Sequence, residues 1–378
     1  MNLMMSLKKY FLLSLIFLFI ILIAGCGAPS TGGQPTTKKI TIEGYDEPMI
    51  GFATSGQGTI GGQGGEVVVV HNYFEFFDAV YHADDTPRIV LVDGTITYDP
   101  NYLLIDPKYT NSINIASNKT ILGLGDGATI SGISIRIGRQ GDPEKNIIIR
   151  NITFDNAPDD NISIWWGSSN IWIDHCTFKS AVDSNCDITR QANYVTLSWN
   201  RFENVGAKGV SIVGGSDTLP DDANYLRVTY HHNFFNGTAG RNPRMRYGIV
   251  HIFNNYYTDV QLGPNATCAV RALVEYNYFE RVQTPTQIST PPGFIVLSKE
   301  DPENGDTNIY LDSGTPQKNL PTLDQLTDGT NYDFRDRADE WLIISNWIPY
   351  SYTPDDPNNL PNIILEKAGA GKIRVKYE

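Results

Sequence analysis

Short runs of alternating apolar and polar residues recur through the middle of the chain. One reads Asn146-Ile-Ile-Ile-Arg-Asn-Ile-Thr-Phe154, the next Asn170-Ile-Trp-Ile-Asp-His-Cys-Thr-Phe178, and a third Asn193-Tyr-Val-Thr-Leu-Ser-Trp-Asn-Arg-Phe202. Segments 224–235, 248–257 and 269–279 keep the same plan of alternating segment, polar residues and closing aromatic. The period of two predicts strands. Most copies follow one another at roughly two dozen residues, a repeat length typical of stacked units. A strand this short cannot bury its apolar face alone, but stacked copies can. The tight turns that antiparallel hairpins require are not seen between copies. The predicted fold is therefore all-β, a parallel β-helix with one coil per repeat. Asn200, Asn233, Asn255 and Asn277 each stand two residues before a closing aromatic, a spacing that predicts a hydrogen-bonded ladder of stacked amides. Cys176 takes that place one coil earlier.

A solenoid needs covered ends. Segment 72–81 is amphipathic at helical spacing and is predicted to cap the N-terminal end. Segments 88–97 and 120–130 read as early coils. Beyond about Ser289 the repeat fades into Pro-, Asp- and Asn-rich sequence, expected to form a loop layer and C-terminal cap and not a second domain.

The N-terminus adds a separate signal. Lys8 and Lys9 precede an apolar run that ends in Leu22-Ile-Ala-Gly-Cys26, which resembles a bacterial lipoprotein lipobox. The resemblance implies cleavage before Cys26 and acylation of its thiol; a plain secretion signal or an uncleaved anchor is the alternative. The expected organisation is a signal peptide over 1–25, a flexible tether over 26–39 and a single domain over 40–378. The mature chain is expected outside the cytoplasmic membrane, lipid-anchored or secreted, touching membrane only through the lipid. It is expected to be monomeric.

Composition narrows the function. A hydrophobic fraction of 41% excludes disorder for most of the chain. The 29 basic and 42 acidic residues give a net charge of −13, and no basic patch or tail is present, which argues against nucleic acid as partner. Four cysteines are too few for a disulfide scaffold, and Cys176, Cys186 and Cys268 make an odd trio once Cys26 is acylated, so no essential disulfide is expected.

Two oxygen-rich clusters, Asp159-Asp160-Asn161 and Asp183-Ser-Asn-Cys-Asp187, fall near the starts of consecutive coils. Stacking would bring them together, and converging carboxylate and amide oxygens suit Ca²⁺; solvated turns that cap strand ends are the plainer alternative. Arg241-Asn-Pro-Arg-Met-Arg246 carries three arginines in six residues, in an otherwise acidic protein. Guanidinium groups bind carboxylates bidentately, whether those of a ligand or of the protein's own acidic surface. Lys208, isolated between Gly206 and Gly209, reads either as a further cation beside Arg241 and Arg246 or merely as a surface lysine. Cations beside an oxygen-rich metal site point to a polyanionic ligand bearing carboxylates. Trp165 and Trp166 read either as packing residues or as sugar-stacking platforms.

Several motifs in order resemble polysaccharide lyase family 1, the pectate lyases. They are Thr120-Ile-Leu-Gly-Leu-Gly125, Asn146-Ile-Ile-Ile-Arg-Asn151, Ile171-Trp-Ile-Asp-His175, Asp183-Ser-Asn-Cys-Asp187, Val195-Thr-Leu-Ser-Trp-Asn200, Tyr230-His-His-Asn233, Arg241-Asn-Pro-Arg-Met-Arg246 and Ala368-Gly-Ala-Gly-Lys372. The resemblance implies a right-handed parallel β-helix that cleaves α-1,4-polygalacturonate by Ca²⁺-assisted β-elimination. It places Arg241 at the catalytic base, Lys208 and Arg246 at cations for the uronate carboxylate, and Asp183 and Asp187 at Ca²⁺ ligands. The remaining ligand position, usually Asp, falls on Asn161, with Asp159 or Asp160 able to compensate. Asp174 and His175 read as structural. An arginine base is unusual because guanidinium holds its proton tightly; neighbouring cations and alkaline solution favour its neutral form.

Three rivals remain at the level of sequence. A polygalacturonase would need paired carboxylates flanking the bond and leaves Arg241 and Arg246 without a role. A pectin lyase acting on methyl esters would not need the acidic cluster. A non-catalytic protein binding pectin through Ca²⁺ would not need the full set of Lys208, Arg241 and Arg246.

Overall fold

The computed structural model describes residues 38–81, 83–203 and 208–378. The expected signal peptide, Cys26 and nearly all of the tether lie outside them. Residues 39–378 form one compact unit. No helix among the described residues is long and apolar enough to cross a membrane.

Among the described residues the coil strands fall into three parallel sheets of eight, ten and nine strands. Each full coil crosses them in turn. Ile162–Ile164 lies in the eight-stranded sheet, Ser169–Asp174 in the ten-stranded and Thr177–Phe178 in the nine-stranded, and Cys186–Ile188 opens the next coil. Ile162 pairs with Cys186 and Ile164 with Ile188, so equivalent positions stack coil on coil. The fold is a right-handed parallel β-helix.

Two ladders hold the coils in register. Inside the helix, the closing aromatics stack as Phe154, Phe178, Phe202, Phe235, Tyr257, Phe279 and Tyr310, with successive ring centroids 4.4–5.4 Å apart. Beside them, the Oδ1 of Asn233 accepts both the backbone N–H and the Nδ2 of Asn200, each at 3.0 Å. The pattern repeats through Asn255 and Asn277. Cys176 opens the ladder by donating its backbone N–H to Asn200. Each amide thus satisfies buried groups of its neighbours that would otherwise be costly to bury.

The ends are closed as predicted at the N-terminus and later than predicted at the C-terminus. Helix Tyr73–Val80 buries Tyr73, Phe76 and Phe77. Its start is fixed by Asn72, whose Oδ1 accepts from Glu75 N at 3.1 Å, while Glu75 accepts from His71 N at 2.7 Å, a reciprocal cap. The coils do not stop near Ser289. Phe294–Val296 continues the ten-stranded sheet and Ile309–Leu311 the nine-stranded one, and Asn308 extends the amide ladder. The bends and turns over 297–306 separate Phe294–Val296 from Asn308, so the repeat spacing is lost in sequence. After this coil, 320–350 covers the ten-stranded sheet through Trp341 and Trp347, helix Leu360–Lys367 packs on Trp199, Phe234 and Tyr256, and Ile373–Tyr377 pairs antiparallel with Ile40–Gly44.

These outer clusters draw no residue from the strands of the eight-stranded sheet. Among the described residues its outer face therefore has no apolar cover, and it carries polar and charged residues instead. Cys176, Cys186 and Cys268 are free and buried.

Candidate active site

The turns that lead into the eight-stranded sheet bring the two acidic clusters together. Asp183 N donates to the Asp159 carbonyl at 3.3 Å, and Lys208 N to the Asp183 carbonyl at 2.8 Å, so these three residues occupy successive coils. Carboxylate oxygens of Asp159, Asp160 and Asp183 lie within 4.8 Å of one another. Asp160 accepts from Ser184 N at 2.9 Å and from Ser163 Oγ at 2.7 Å. Burial pushes its carboxyl up to about 6, against those hydrogen bonds, and the Asp159 and Asp183 carboxylates add to the rise. Asp187 stands on the adjacent strand opposite Ser163 and accepts from Ile212 N at 2.8 Å. Burial, then the nearby Asp160 carboxylate, raises its pKa well above the usual range. Asn161 is 1% exposed, and its Nδ2 is buried without a hydrogen-bond partner among the described residues.

The cations meet the same cluster. Arg241 Nη1 donates to Asp183 Oδ1 at 2.8 Å and to Ser184 Oγ at 2.9 Å. Lys208 Nζ lies 3.6 Å from the same Asp183 oxygen and is largely exposed. Arg246 is nearly buried: its Nη1 donates to the Gly214 carbonyl at 2.9 Å and its Nε to Asp217. Gly209 makes Arg241's path possible. A Cβ at Gly209 would lie 2.6 Å from Arg241 Cβ and Cγ, closer than carbon atoms approach without something moving.

The sequence assigned no individual role to several of these parts. Arg244 has the same parity as Arg246 on strand Arg244–Arg246, opposite Ile212 and Asn265, and so lies on the outer face of the sheet. Its Nε is buried without a partner among the described residues, and burial, then the nearby Arg246, lowers its pKa. Strand parity was the signal available for it. Ser184 and Asp217 sit in turns without periodicity; Ser184 lies within the acidic cluster over 183–187 but nothing local marked its side chain, and nothing marked Asp217. Asp174 and His175, by contrast, belong to the wall. Arg150 Nε donates to Asp174 Oδ2 at 2.8 Å, His175 Nδ1 lies 2.6 Å from the same oxygen, and Ser198 Oγ donates to Oδ1 at 2.6 Å, all of them buried.

A family model described as pectate lyase matches residues 45–373. This chain belongs to the pectate lyase family. It is a polysaccharide lyase, and its function is that of a pectate lyase. Similar to it is the pectate trisaccharide-lyase of Bacillus licheniformis, 31% identical over 383 residues that cover 96% of this chain and 98% of the relative. The pectate trisaccharide-lyase of Thermotoga maritima is 29% identical, covering 87% of this chain and 89% of its own. Among solved structures, a pectate lyase from Bacillus sp. N165 in complex with trigalacturonate superimposes with a TM-score of 0.66 at 26% identity, covering 86% of this chain and 99% of that one. A pectate lyase from Acidovorax avenae shares the fold at 22% identity, with a TM-score of 0.61 over 91% of this chain and 99% of its own.

Proposed function

We propose that this pectate lyase cleaves de-esterified α-1,4-polygalacturonate by β-elimination on the outer face of the eight-stranded sheet. The observation that carries this reading is the placement of the Arg241 guanidinium on Asp183, at the edge of three converging carboxylates. In its neutral form Arg241 takes the proton from C5 and becomes guanidinium, the C4–oxygen bond breaks, and a C4–C5 double bond forms while the leaving oxygen acquires a proton from solvent. Nη1 is held by Asp183 and Ser184, which fix the guanidinium plane and leave its other nitrogens for substrate. Lys208 and Arg246 bind the uronate carboxylate, where negative charge builds as the proton leaves.

The donor set fits Ca²⁺. It is all oxygen, and the raised pKa of Asp160 reflects burial and neighbouring carboxylates that a cation would offset. Asp159, Asp160, Asp183 and Asp187 would hold the ion, with the amide oxygen of Asn161 beside them. When bound, it supplies positive charge that bridges acidic protein to acidic substrate and stabilises the developing enolate-like carboxylate. The test is ultraviolet absorbance of the unsaturated product formed from polygalacturonate, with and without chelator. Activity should vanish in chelator and return with Ca²⁺. Full activity in chelator would exclude the metal role, and hydrolysis without new absorbance would exclude elimination.

The lipobox supports a second proposal, that Cys26 anchors the mature enzyme outside the cytoplasmic membrane. Cys26→Ala should release the protein from the membrane fraction or leave the precursor uncut, and unchanged fractionation and processing would refute the anchor.

A further inference from the structure

Beyond the acidic cluster, the same face of the molecule carries a second recess. Ile164 pairs with Ile188, Ile188 with Val213 and Val213 with Met245. Trp165, Thr189, Gly214 and Arg246 therefore share one row across the sheet, and Trp165 stands ~14 Å from Arg246 at the usual strand spacing. One residue further along, where the coil turns, Trp166, Arg190, Thr218, Leu219, Pro220 and Asp222 line a cavity of about 160 Å³. The loop that builds its far wall is the one whose Asp217 holds Arg246, so cavity and cleft share a wall.

The chemistry of this cavity differs from that of the cleft. Trp166 is half-buried, and the Arg190 guanidinium lies over its ring at 4.4 Å. Leu219 and Pro220 supply apolar wall. Asp222 is 2% exposed; its Oδ1 accepts from Gln191 N at 2.8 Å, and its Oδ2 has no hydrogen-bond partner among the described residues. An indole face with a few fixed polar groups is a surface for the C–H face and hydroxyls of a pyranose. With Asp221 also at the rim, one guanidinium faces two carboxylates. A bare uronate is disfavoured there, whereas an uncharged sugar is not.

We infer that the recess between Trp166, Arg190 and 218–222 is an outlying subsite for an uncharged pyranose, a methyl-esterified galacturonate of the same polymer chain. This rests on the pectate reading of the cleft, which holds the charged residue while the recess takes a neutral one. A neutral side-chain sugar such as galactose offers the same chemistry, and the experiment separates the two.

The test compares kcat/KM on partly methyl-esterified polygalacturonate with kcat/KM on the unesterified polymer, for the unmodified protein, Trp166→Ala and Arg190→Ala, with a third arm on galactose-bearing chains. Loss of stacking should lower the ratio of esterified to unesterified substrate by about fivefold in Trp166→Ala. A drop confined to the galactose-bearing arm keeps the neutral-sugar site and reassigns its occupant. Unchanged kcat/KM in both variants on the esterified and the galactose-bearing substrates alike, or equal losses on every substrate, overturn the subsite. Calorimetric titration with methyl-esterified and unesterified trigalacturonate reads the recess independently of turnover. If the unmodified protein forms no unsaturated product, the cleft reading fails, yet weaker binding of only the esterified trimer by Trp166→Ala would still uphold the recess.

Discussion

Arg241 and Asp183 are 58 residues apart in sequence, and the Arg241 Nη1 to Asp183 Oδ1 distance is 2.8 Å. The contact crosses the intervening coil at Gly209, where no side chain stands in the way. On the proposed reading this ion pair aims the base, and substitutions on either side of it separate binding from turnover. Arg241→Lys keeps a cation but loses the planar guanidinium whose Nη1 reaches both Asp183 and Ser184. Turnover at saturating substrate should fall by roughly 10²-fold or more, in the range of lost general bases, while substrate binding persists. Arg246→Ala should weaken binding as well as turnover, because a carboxylate ligand acts in ground and transition states alike. Near-normal turnover in Arg241→Lys would remove Arg241 from the base position.

Gly209→Ala tests the same geometry from below. The added methyl would lie 2.6 Å from Arg241 Cβ and Cγ and from the Gly240 carbonyl oxygen. Arg241 must move, and misplacement of a reacting group by about 1 Å costs on the order of 10²-fold. The expected result is a large loss of turnover with circular dichroism of an intact β-helix. An unaffected rate would show that the Arg241 contacts seen here do not matter for the reaction.

Asn255→Ala should destabilise the coils without touching the cleft. Its Oδ1 accepts from the backbone N–H and Nδ2 of Asn233, and its Nδ2 donates to Tyr230 and Phe253 carbonyls at 2.9 and 3.0 Å. Orphaning these buried groups should cost about 3 kcal/mol or more, seen as a lower midpoint in denaturant at unchanged slope. A midpoint within error of the parent would mean that the aromatic stack alone holds the register.

Acid should weaken the fold through three buried histidines under the segment that carries Tyr350, Tyr352 and Asp355. Burial lowers the pKa of His231, with His232 and His251 adding to the fall and Asp174 opposing it. Burial also lowers His232 against the Asp355 carboxylate, and His251 against Glu275. The folded state keeps all three neutral, while the unfolded chain takes up protons below its ordinary histidine pKa. The histidines' contribution to stability is therefore fully present above about pH 6.5 and declines below it, by about 1.4 kcal/mol per histidine for each unit until the folded pKa is reached, while the raised carboxyls of Asp160, Asp187 and Asp222 act in the opposite sense over the same range. Imidazole ring signals in proton NMR should show these three histidines titrating below the ordinary histidine range in the folded protein. Titration of any of them near pH ~6.5 would contradict the buried neutral assignment.

The local sequence determined the repeating parts of this protein. Period-two alternation, the closing aromatics and the asparagines two residues before them report one coil each, and a coil is a local object whose inward face must be apolar. The cap helix was equally legible, because its caps and its apolar stripe lie within ten residues. The coil ending in Asn308 and Tyr310 was not, since the turns over 297–306 broke the spacing while leaving the stacking intact. The candidate site was legible as residue types and only partly as an arrangement. Arg241, Arg246, Lys208 and the aspartates stood out as clusters, and coil stacking already implied that the acidic clusters meet, but the Arg241 contact over Gly209, the hold of Asp217 on Arg246 and the recess beside Trp166 come from the tertiary structure. The reason is physical. Which side chains meet across coils depends on the lengths and paths of turns, and turns carry no periodic hydrophobic constraint from which those paths can be read.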